Sequence, residues 1–277
     1  MTPREEMSAM DALPFGIDFG GSGIKGAAVD LGPGDFAADR VKIKTPQPST
    51  PEAVAHVLVE LLGRFPDSTG SVGVTVPAVV RHGVVSSAAN IDRAWIGTDA
   101  DALFTTATGR DVHVVNDADA AGLAEVRYGA AAGRRGLVIV TTLGTGIGSA
   151  IVYDGVLVPN SELGHLEIDG HIAERRAAHS AKENEGLSYP EWAKRLTVYY
   201  RTVEKLLSPD LIVVGGGVSK DAAEFLHLVD IQTEIVPAKL QNRAGIIGAA
   251  LSAAESIDES VPGFASRPGR ALNTGAP

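Results

Sequence analysis

Two stretches of this chain, 123 positions apart, carry the same glycine turn. Residues 15–30 read FGIDFGGSGIKGAAVD and residues 140–155 read VTTLGTGIGSAIVYDG. Laying Gly21 on Gly144 also lays Ser22 on Thr145, Gly23 on Gly146, Ile24 on Ile147, Ala27 on Ala150 and Val29 on Val152. An internal repeat of this kind implies two similar halves. The first copy contains G-x-G-x-x-G from Gly21 to Gly26, the spacing of a dinucleotide-binding turn if a strand precedes it and a helix opens within it. No helical period follows Gly26: the chain continues Ala-Ala-Val-Asp-Leu-Gly-Pro-Gly, a short β-compatible run and then a turn. Both stretches are therefore predicted as tight β-hairpins. Glycine lets backbone N–H groups approach an anion with no Cβ in the way, and Ser or Thr adds a hydroxyl donor. Two such turns facing each other would clamp a phosphate chain. Taken singly, each is explained by a hairpin whose glycines supply positive φ.

Around the hairpins, strands and helices alternate in an α/β pattern. Strands are predicted at 15–18, 24–30, 72–76, 112–115, 137–141, 149–153 and 211–214. Helices are predicted at 51–64, 118–127, 173–185, 189–207, 221–226 and 245–257. Thr50, Pro51 and Glu52 mark the start of the first helix. The 277 residues suffice for two domains. These are expected at 14–115, with the first hairpin, and at 116–257, with the second. Residues 1–13 and 258–277 are expected to be flexible; the latter are rich in Gly, Pro, Ser and Arg and have no apolar period.

A net charge of −10 argues against a nucleic-acid partner, which needs a basic face. No apolar run is long enough to span a membrane. The opening MTPREEMSAMDALP carries acidic residues and no apolar core, so no secretory leader is expected. The chain has no cysteine, hence no disulfide, no thiolate nucleophile and no cysteine-based zinc site. A cytoplasmic setting is expected.

Asn116 and Asp117 follow the strand at 112–115, and ligands of α/β sheets sit at strand ends. A carboxylate there can take the proton of an attacking hydroxyl. The same pair suits the cap of the next helix, and capping is the role expected for Asp119. Glu162 and His165 can both hydrogen-bond vicinal hydroxyls, and can equally be a surface pair. Gly215-Gly216-Gly217 ends a buried strand in a turn that lets something pass close.

Taken together these segments resemble the ROK family of sugar kinases and repressors, within the actin-like ATPase and sugar-kinase superfamily. The resemblance runs from about Phe15 to Ile257. GIDFGGSGIKGAAVD, NDADAAGLAE (116–125), TTLGTGIGSAIVYDG with NSELGHLEIDG (160–170), and LIVVGGGVSK (211–220) carry it. More narrowly the chain is similar to actinobacterial members that use polyphosphate. The resemblance implies two actin-like α/β domains with mixed sheets flanking a central cleft. It implies phosphate binding by Asp18, Gly20, Gly21, Ser22, Gly23 and Lys25, and by Gly144, Thr145 and Gly146. Gly215, Gly216 and Gly217 take the place of the nucleotide loop, and Asp117 that of the general base. Sugar contacts are implied for Asn90, Asn116, Asp117, Glu162 and His165. A further sugar-binding Glu is best matched by Glu174, with Glu167 as a rival.

Typical relatives follow the His with a cysteine-rich zinc motif. Here the chain reads IDGHIAERRAAHSAKENEG, which leaves only His171 and His179 beside His165, so no zinc is expected. Mg²⁺ is the implied cofactor, placed near Asp18. Lys25 is expected to face either the phosphate chain or solvent, with Arg93, Arg134, Arg135 and Lys220 as weaker anion-binding candidates. The implied activity is transfer of a phosphoryl group from inorganic polyphosphate to the 6-hydroxyl of glucose. ATP as a second donor and mannose as an acceptor stay open, and the implied assembly is a homodimer. Three rivals remain: an ATP-only hexokinase, a sugar-responsive repressor, and a sugar-binding protein without catalysis. About fourteen residues precede the first strand, too few for a helix-turn-helix, and Asp117 speaks against a non-catalytic binder.

Overall fold

The computed structural model describes residues 13–89 and 91–257. The expected flexible segments, apart from Leu13, and the expected sugar contact Asn90 lie outside the described residues. In chain order the first half contains β1 (Phe15–Gly20), β2 (Gly23–Asp30), β3 (Asp35–Phe36), β4 (Val41–Ile43), α1 (Pro51–Gly63), β5 (Val72–Val76), β6 (Val80–Arg81), β7 (Val84–Val85), α2 (Ala100–Thr108) and β8 (Val112–Asn116). The second half contains α3 (Asp117–Tyr128), β9 (Leu137–Leu143), β10 (Ile147–Tyr153), β11 (Val156–Val158), β12 (Glu167–Ile168), β13 (His171–Ile172), α4 (Glu174–Ala177) and α5 (His179–Glu185). It continues with α6 (Tyr189–Leu207), β14 (Leu211–Gly215), α7 (Ala222–Phe225), β15 (Ile235–Pro237) and α8 (Ala244–Ile257). Among the described residues no helix is long and apolar enough to cross a membrane.

The repeat in the sequence is a repeat in topology. The first sheet runs β3-β2-β1-β5-β8, with β4 also pairing β2, and the second runs β11-β10-β9-β14-β15. In each, an antiparallel hairpin is continued by parallel strands: β1 pairs β5 as β9 pairs β14. No helix opens in the first glycine turn. β2 follows at once, with Gly20 opposite Gly23.

Alternation along β1 decides what each face of the first sheet meets. Phe15, Ile17 and Phe19 point into a core with Val54, Leu58 and Leu61 of α1 and with Trp95 and Phe104. Gly16, Asp18 and Gly20 occupy the other face. In the second half, Trp192, Leu196, Tyr199, Tyr200 and Val203 form one stripe of α6 at helical spacing and pack on Ile139, Ile212 and Val214. That helix begins in a capping box between Ser188 and Glu191.

The predicted helix 173–185 is broken at Ala178, whose ψ of 156° is extended and separates α4 from α5. The break lets His179 pack edge-on against Trp192, with ring centroids 5.7 Å apart. Helix α2 was not foreseen: nine residues with three threonines carry little helical signal, although Asp99 caps the start and left-handed Gly109 ends it.

Between the sheets lie α3 and α8, in backbone contact. A Cβ on Gly248 would stand 1.8 Å from the Ala120 carbonyl oxygen. Cβ atoms on Gly16 and Gly73 would stand 1.9 Å from the Ile246 oxygen and 1.8 Å from the Ala249 oxygen. Helix α8 thus rests on the first sheet and on α3, while α3 rests on β9 and β10. We expect Gly248→Ala to destabilise the protein by about 1–3 kcal/mol or more through overpacking, lowering Tm by roughly 3–10 °C. Gly63→Ala, where a Cβ meets nothing within 4 Å, should leave Tm unchanged or raised in the same calorimetric series.

Candidate active site

The strands β1, β8, β9 and β14 end on one side of the molecule, where an α/β fold collects its ligands. The first turn is the two residues Gly21 and Ser22. The second is the three residues Gly144, Thr145 and Gly146 between the paired Leu143 and Ile147. None of Gly20, Gly21, Gly23, Gly144 and Gly146 has positive φ. The hairpin explanation through φ fails, and where a neighbour requires glycine the reason is space, as at Gly23, where a Cβ would lie 2.2 Å from Lys42 Cε. A Cβ on Gly21 or Gly144 would meet nothing within 4 Å, so both turns face open room with their backbone bare. A Cβ on Gly146 would lie 2.3 Å from Glu174 Oε2. Other contacts fix the turns. Thr45 Oγ1 donates to the Gly20 oxygen (2.6 Å), Ser180 N–H to the Gly144 oxygen (3.0 Å) and Ser180 Oγ to the Thr145 oxygen (2.6 Å). Gly216 does have positive φ, 84°, and presses on the strand entering the second turn: its Cβ would be 2.4 Å from the Leu143 oxygen. Beyond it Gly217 faces open space.

Four acidic groups face this region. Asp18 accepts from Lys25 Nζ and from Thr75 Oγ1, each at 3.2 Å. Asn116, not Asp117 or Asp119, caps α3. Its Oδ1 accepts the N–H groups of Ala118 (2.9 Å) and Asp119 (3.0 Å), and its Nδ2 donates to the Ala78 oxygen (3.0 Å). Asp117 is the first residue of the helix and half-buried. Burial, then the charges of Asp18 and Glu162, push its carboxyl up to about 6, against the pull of the Ala118 N–H. A carboxyl poised there can accept a proton near neutral pH. Asp119, expected as a cap, is instead 1% exposed, and its Oδ2 accepts the Asn160 N–H at 2.7 Å while its Oδ1 has no protein partner. Burial, with the charges of Asp117 and Glu162, raises it to about 7, and the Asn160 N–H opposes the rise. Glu162 is also raised by burial, partly offset by His165.

The segment 160–165 is stitched in from three sides. Left-handed Asn160 (φ 61°) bridges to the first half: its Oδ1 accepts the Val80 N–H and its Nδ2 donates to the Val80 oxygen, both 2.8 Å. Ser149 Oγ donates to the Ser161 oxygen and accepts the Leu163 N–H, both 2.9 Å. Gly164 lies on β10, where a Cβ would be 2.2 Å from the Ile147 oxygen. Thus placed, His165 stands between two carboxylates, 3.7 Å from Glu162 and 3.5 Å from Glu174. Glu174 Oε2 in turn accepts the Ile147 N–H at 3.0 Å, which ties it to the second turn. Glu167, the rival, sits exposed on β12 opposite Ile172. Asn160, Ser149 and Thr75 escaped the sequence reading. Asn160 stands inside the quoted NSELGH, but its links to Val80 and Asp119 join residues far apart in sequence.

The segment after His165 is held by apolar packing. Leu163, Leu166, Ile168, Ala173, Ala177 and Ala178 pack into the core around Trp192 and Phe225, and Trp192 Nε1 donates to the Ala177 oxygen at 3.0 Å. His171 lies on β13 and His179 on α5. Among the described residues no three His, Asp or Glu side chains are grouped to hold a metal ion.

The basic candidates separate. Lys25 is paired with Asp18. Arg134 pairs with Glu234 and Arg135 with Asp154 (3.5 Å), beside the start of β9 and at the far end of that strand from Gly144. Arg93 and Lys220 are exposed on short 3₁₀ turns at 93–95 and 217–221.

Comparison with known proteins adds four findings. The family model "ROK family" matches residues 14–186. The polyphosphate glucokinase of Mycobacterium tuberculosis (strain H37Rv) is 52% identical over 239 residues, 86% of this chain and 90% of that protein. Among solved structures, the inorganic polyphosphate/ATP-glucomannokinase of Arthrobacter sp. strain KM is 54% identical, with a TM-score of 0.85 over 88% of this chain and 99% of that one. The ROK family glucokinase of Streptomyces griseus, at 23% identity and a TM-score of 0.74, shares the fold over 88% of this chain and 100% of its own.

The Asp117 carboxyl carries a stability signature. It titrates at 3.8 in its ordinary state and near 6 when folded, so the native state holds the proton more tightly. Its contribution is most favourable at low pH and is lost as pH rises from about 4 through 6. Asp117→Asn removes that loss. Its Tm relative to wild type should be a few degrees higher at pH 8 than at pH 4.5 in scanning calorimetry; a difference that does not change with pH would contradict the burial argument.

Proposed function

The chain belongs to the ROK family, and we propose that it transfers the terminal phosphoryl group of inorganic polyphosphate to the 6-hydroxyl of glucose, giving glucose 6-phosphate. The observation that carries this reading is the position of Asp117. It opens α3 beside the strand that leaves the second glycine turn, where a Cβ on Gly148 would lie 3.0 Å from Ala118 Cβ, and the charges of Asp18, on the strand entering the first turn, and of Glu162 both reach it. Glu162, His165 and Glu174 form the face that holds sugar hydroxyls. Asn116, the neighbouring expected sugar contact, spends its Oδ1 on the helix cap and its Nδ2 on the Ala78 oxygen.

The 6-hydroxyl attacks phosphorus in line, and Asp117 orients it and takes its proton. Backbone N–H groups of the turns at 20–23 and 145–146, with the hydroxyls of Ser22 and Thr145, hold the transferred group and the leaving chain, while the Gly144 N–H closes the second turn on the Gly146 oxygen. Such transition states are loose, so positioning and charge stabilisation outweigh base strength. Asp18 and Asp117 present two carboxylates to one space. That donor set suits Mg²⁺, which Asp18 would hold and which would supply neutralisation of charge on the phosphate oxygens. The open Gly217 beyond the Gly216 turn supports ATP as a second donor, and mannose as a second acceptor belongs to the same reading. So does a homodimer, for which the exposed Val156 and Val158 of edge strand β11 speak.

Donor profiling tests this: polyphosphate, ATP and pyrophosphate against glucose and mannose, with glucose 6-phosphate read in a coupled assay. Polyphosphate with glucose should give product; product from ATP alone would make the protein an ATP-only hexokinase. Asp117→Asn should lower turnover by roughly 10²–10⁴-fold with a much smaller change in glucose KM. Since Asp117 acts ionised, wild-type kcat should fall as pH drops through about 6. Asp119→Ala leaves the Asn160 N–H buried and unpaired, and should raise glucose KM about tenfold with a smaller loss in kcat.

A further inference from the structure

The first turn has a neighbour that the sequence repeat does not suggest. The stem of Lys42 lies across Gly23: a Cβ there would be 2.2 Å from Lys42 Cε and 3.2 Å from its Cδ and Cγ. In register, Asp18 faces Lys25 across β1–β2, and Lys25 faces Lys42 across β2–β4. Directly opposed residues of adjacent strands share a face of the sheet. Asp18, Lys25 and Lys42 therefore form one row, running from the cleft to the outer edge. Lys44 follows closely. It stands between Ile43, paired with Ile24, and Thr45, whose hydroxyl holds the Gly20 oxygen of the turn.

The charges along this row differ in how they are used. Lys25 is paired with Asp18 at 3.2 Å and is mostly buried. Lys42 and Lys44 are exposed, and among the described residues neither makes an ion pair. A chain with net charge −10 repels polyanions overall, so holding a long one needs a local concentration of positive charge at the site. The bare backbone of the turn suits the reacting end of a phosphate chain, and the units behind it need a path out. Gly23 leaves that path without a side chain of its own, and Lys42 lies along it. An ammonium on a flexible stem is a point charge that can follow a polymer with no fixed register.

We propose that Lys42 and Lys44 form a distal subsite for inorganic polyphosphate, holding phosphate units beyond those at the first turn and setting a preference for long chains over short ones and over ATP. The proposal rests on the donor reading given above. ATP has three phosphates and then a nucleoside, so it does not extend along the row.

The test is the variant Lys42→Gln/Lys44→Gln, at two exposed positions. Its kinetics are measured with long-chain polyphosphate, tetrapolyphosphate and ATP, each from low to moderate salt. The KM for long-chain polyphosphate should rise about tenfold at low salt, and its log–log salt dependence should flatten by roughly 0.7 per lysine removed. The KM values for tetrapolyphosphate, ATP and glucose should stay within about twofold of wild type. The doubly charged-retaining variant Lys42→Arg/Lys44→Arg should restore the long-chain KM. Lys194→Gln/Lys205→Gln, which removes the same charge from α6, should change nothing. An unchanged long-chain KM and salt slope would overturn the subsite, as would equal losses with all three donors. Wild-type protein that makes no product from polyphosphate would overturn the donor reading and the subsite together, and that result is visible before any variant is made.

Discussion

The backbone-to-backbone crossing of α3 and α8 is the contact on which the site depends. Each sheet is covered on its outer face by helices of its own half, α1 and α2 or α6, and these two helices cover the inner faces of both. Helix α8 lies at the C-terminal end of the described chain yet packs on the first sheet, while α3 leaves the first sheet and packs on the second. They can meet because Gly248 admits the Ala120 carbonyl and because Gly16 and Gly73 admit the backbone of α8. The same closeness places Gly245 3.0 Å, measured from an added Cβ, from Asp18 Oδ1. Asp18, on β1, and Asp117, at the start of α3, are thereby brought within electrostatic reach of each other.

That proximity is unfavourable for the folded state and useful for chemistry. Asp117 and Asp119 are raised to about 6 and about 7 because burial and neighbouring carboxylates oppose their ionisation. Only part of this is relieved. Asn116 takes over the helix cap and Lys25 neutralises Asp18, while Asp119 keeps one oxygen without a protein partner. Both carboxyls therefore take up and release a proton near neutral pH.

The segment from Asn160 to Ala178 shows how packing does the work of a crosslink. Residues 160–165 are hydrogen-bonded to three elements, through Val80, Asp119 and Ser149, and the stretch after them is closed over Trp192 and Phe225. With the break at Ala178, α5 turns back so that Ser180 grips the second turn. One apolar cluster thus positions both Glu174 and the turn it borders.

The sequence by itself determined the two-halves plan, because a hairpin and its glycine turn are local. Periodicity and spacing at 15–30 and 137–155 are enough to show them, and they exclude a helix after Gly26. It also pointed to Asp117, Glu162, His165 and Glu174 as candidate groups, through short motifs resembling those of the ROK family, and the fold brings Glu162, His165 and Glu174 together. Tertiary structure decided what those motifs leave open. Glu174 rather than Glu167 lies beside His165, since only the fold brings α4 to β10. Asp119 serves as a buried anchor for Asn160, 41 residues away, instead of a cap. Gly23 and Gly146 are there for room and not for positive φ, because what crowds Gly23 is Lys42 and what crowds Gly146 is Glu174. A carboxylate's proton affinity and a glycine's necessity depend on neighbours from distant segments, and such neighbours exist only once the chain has packed.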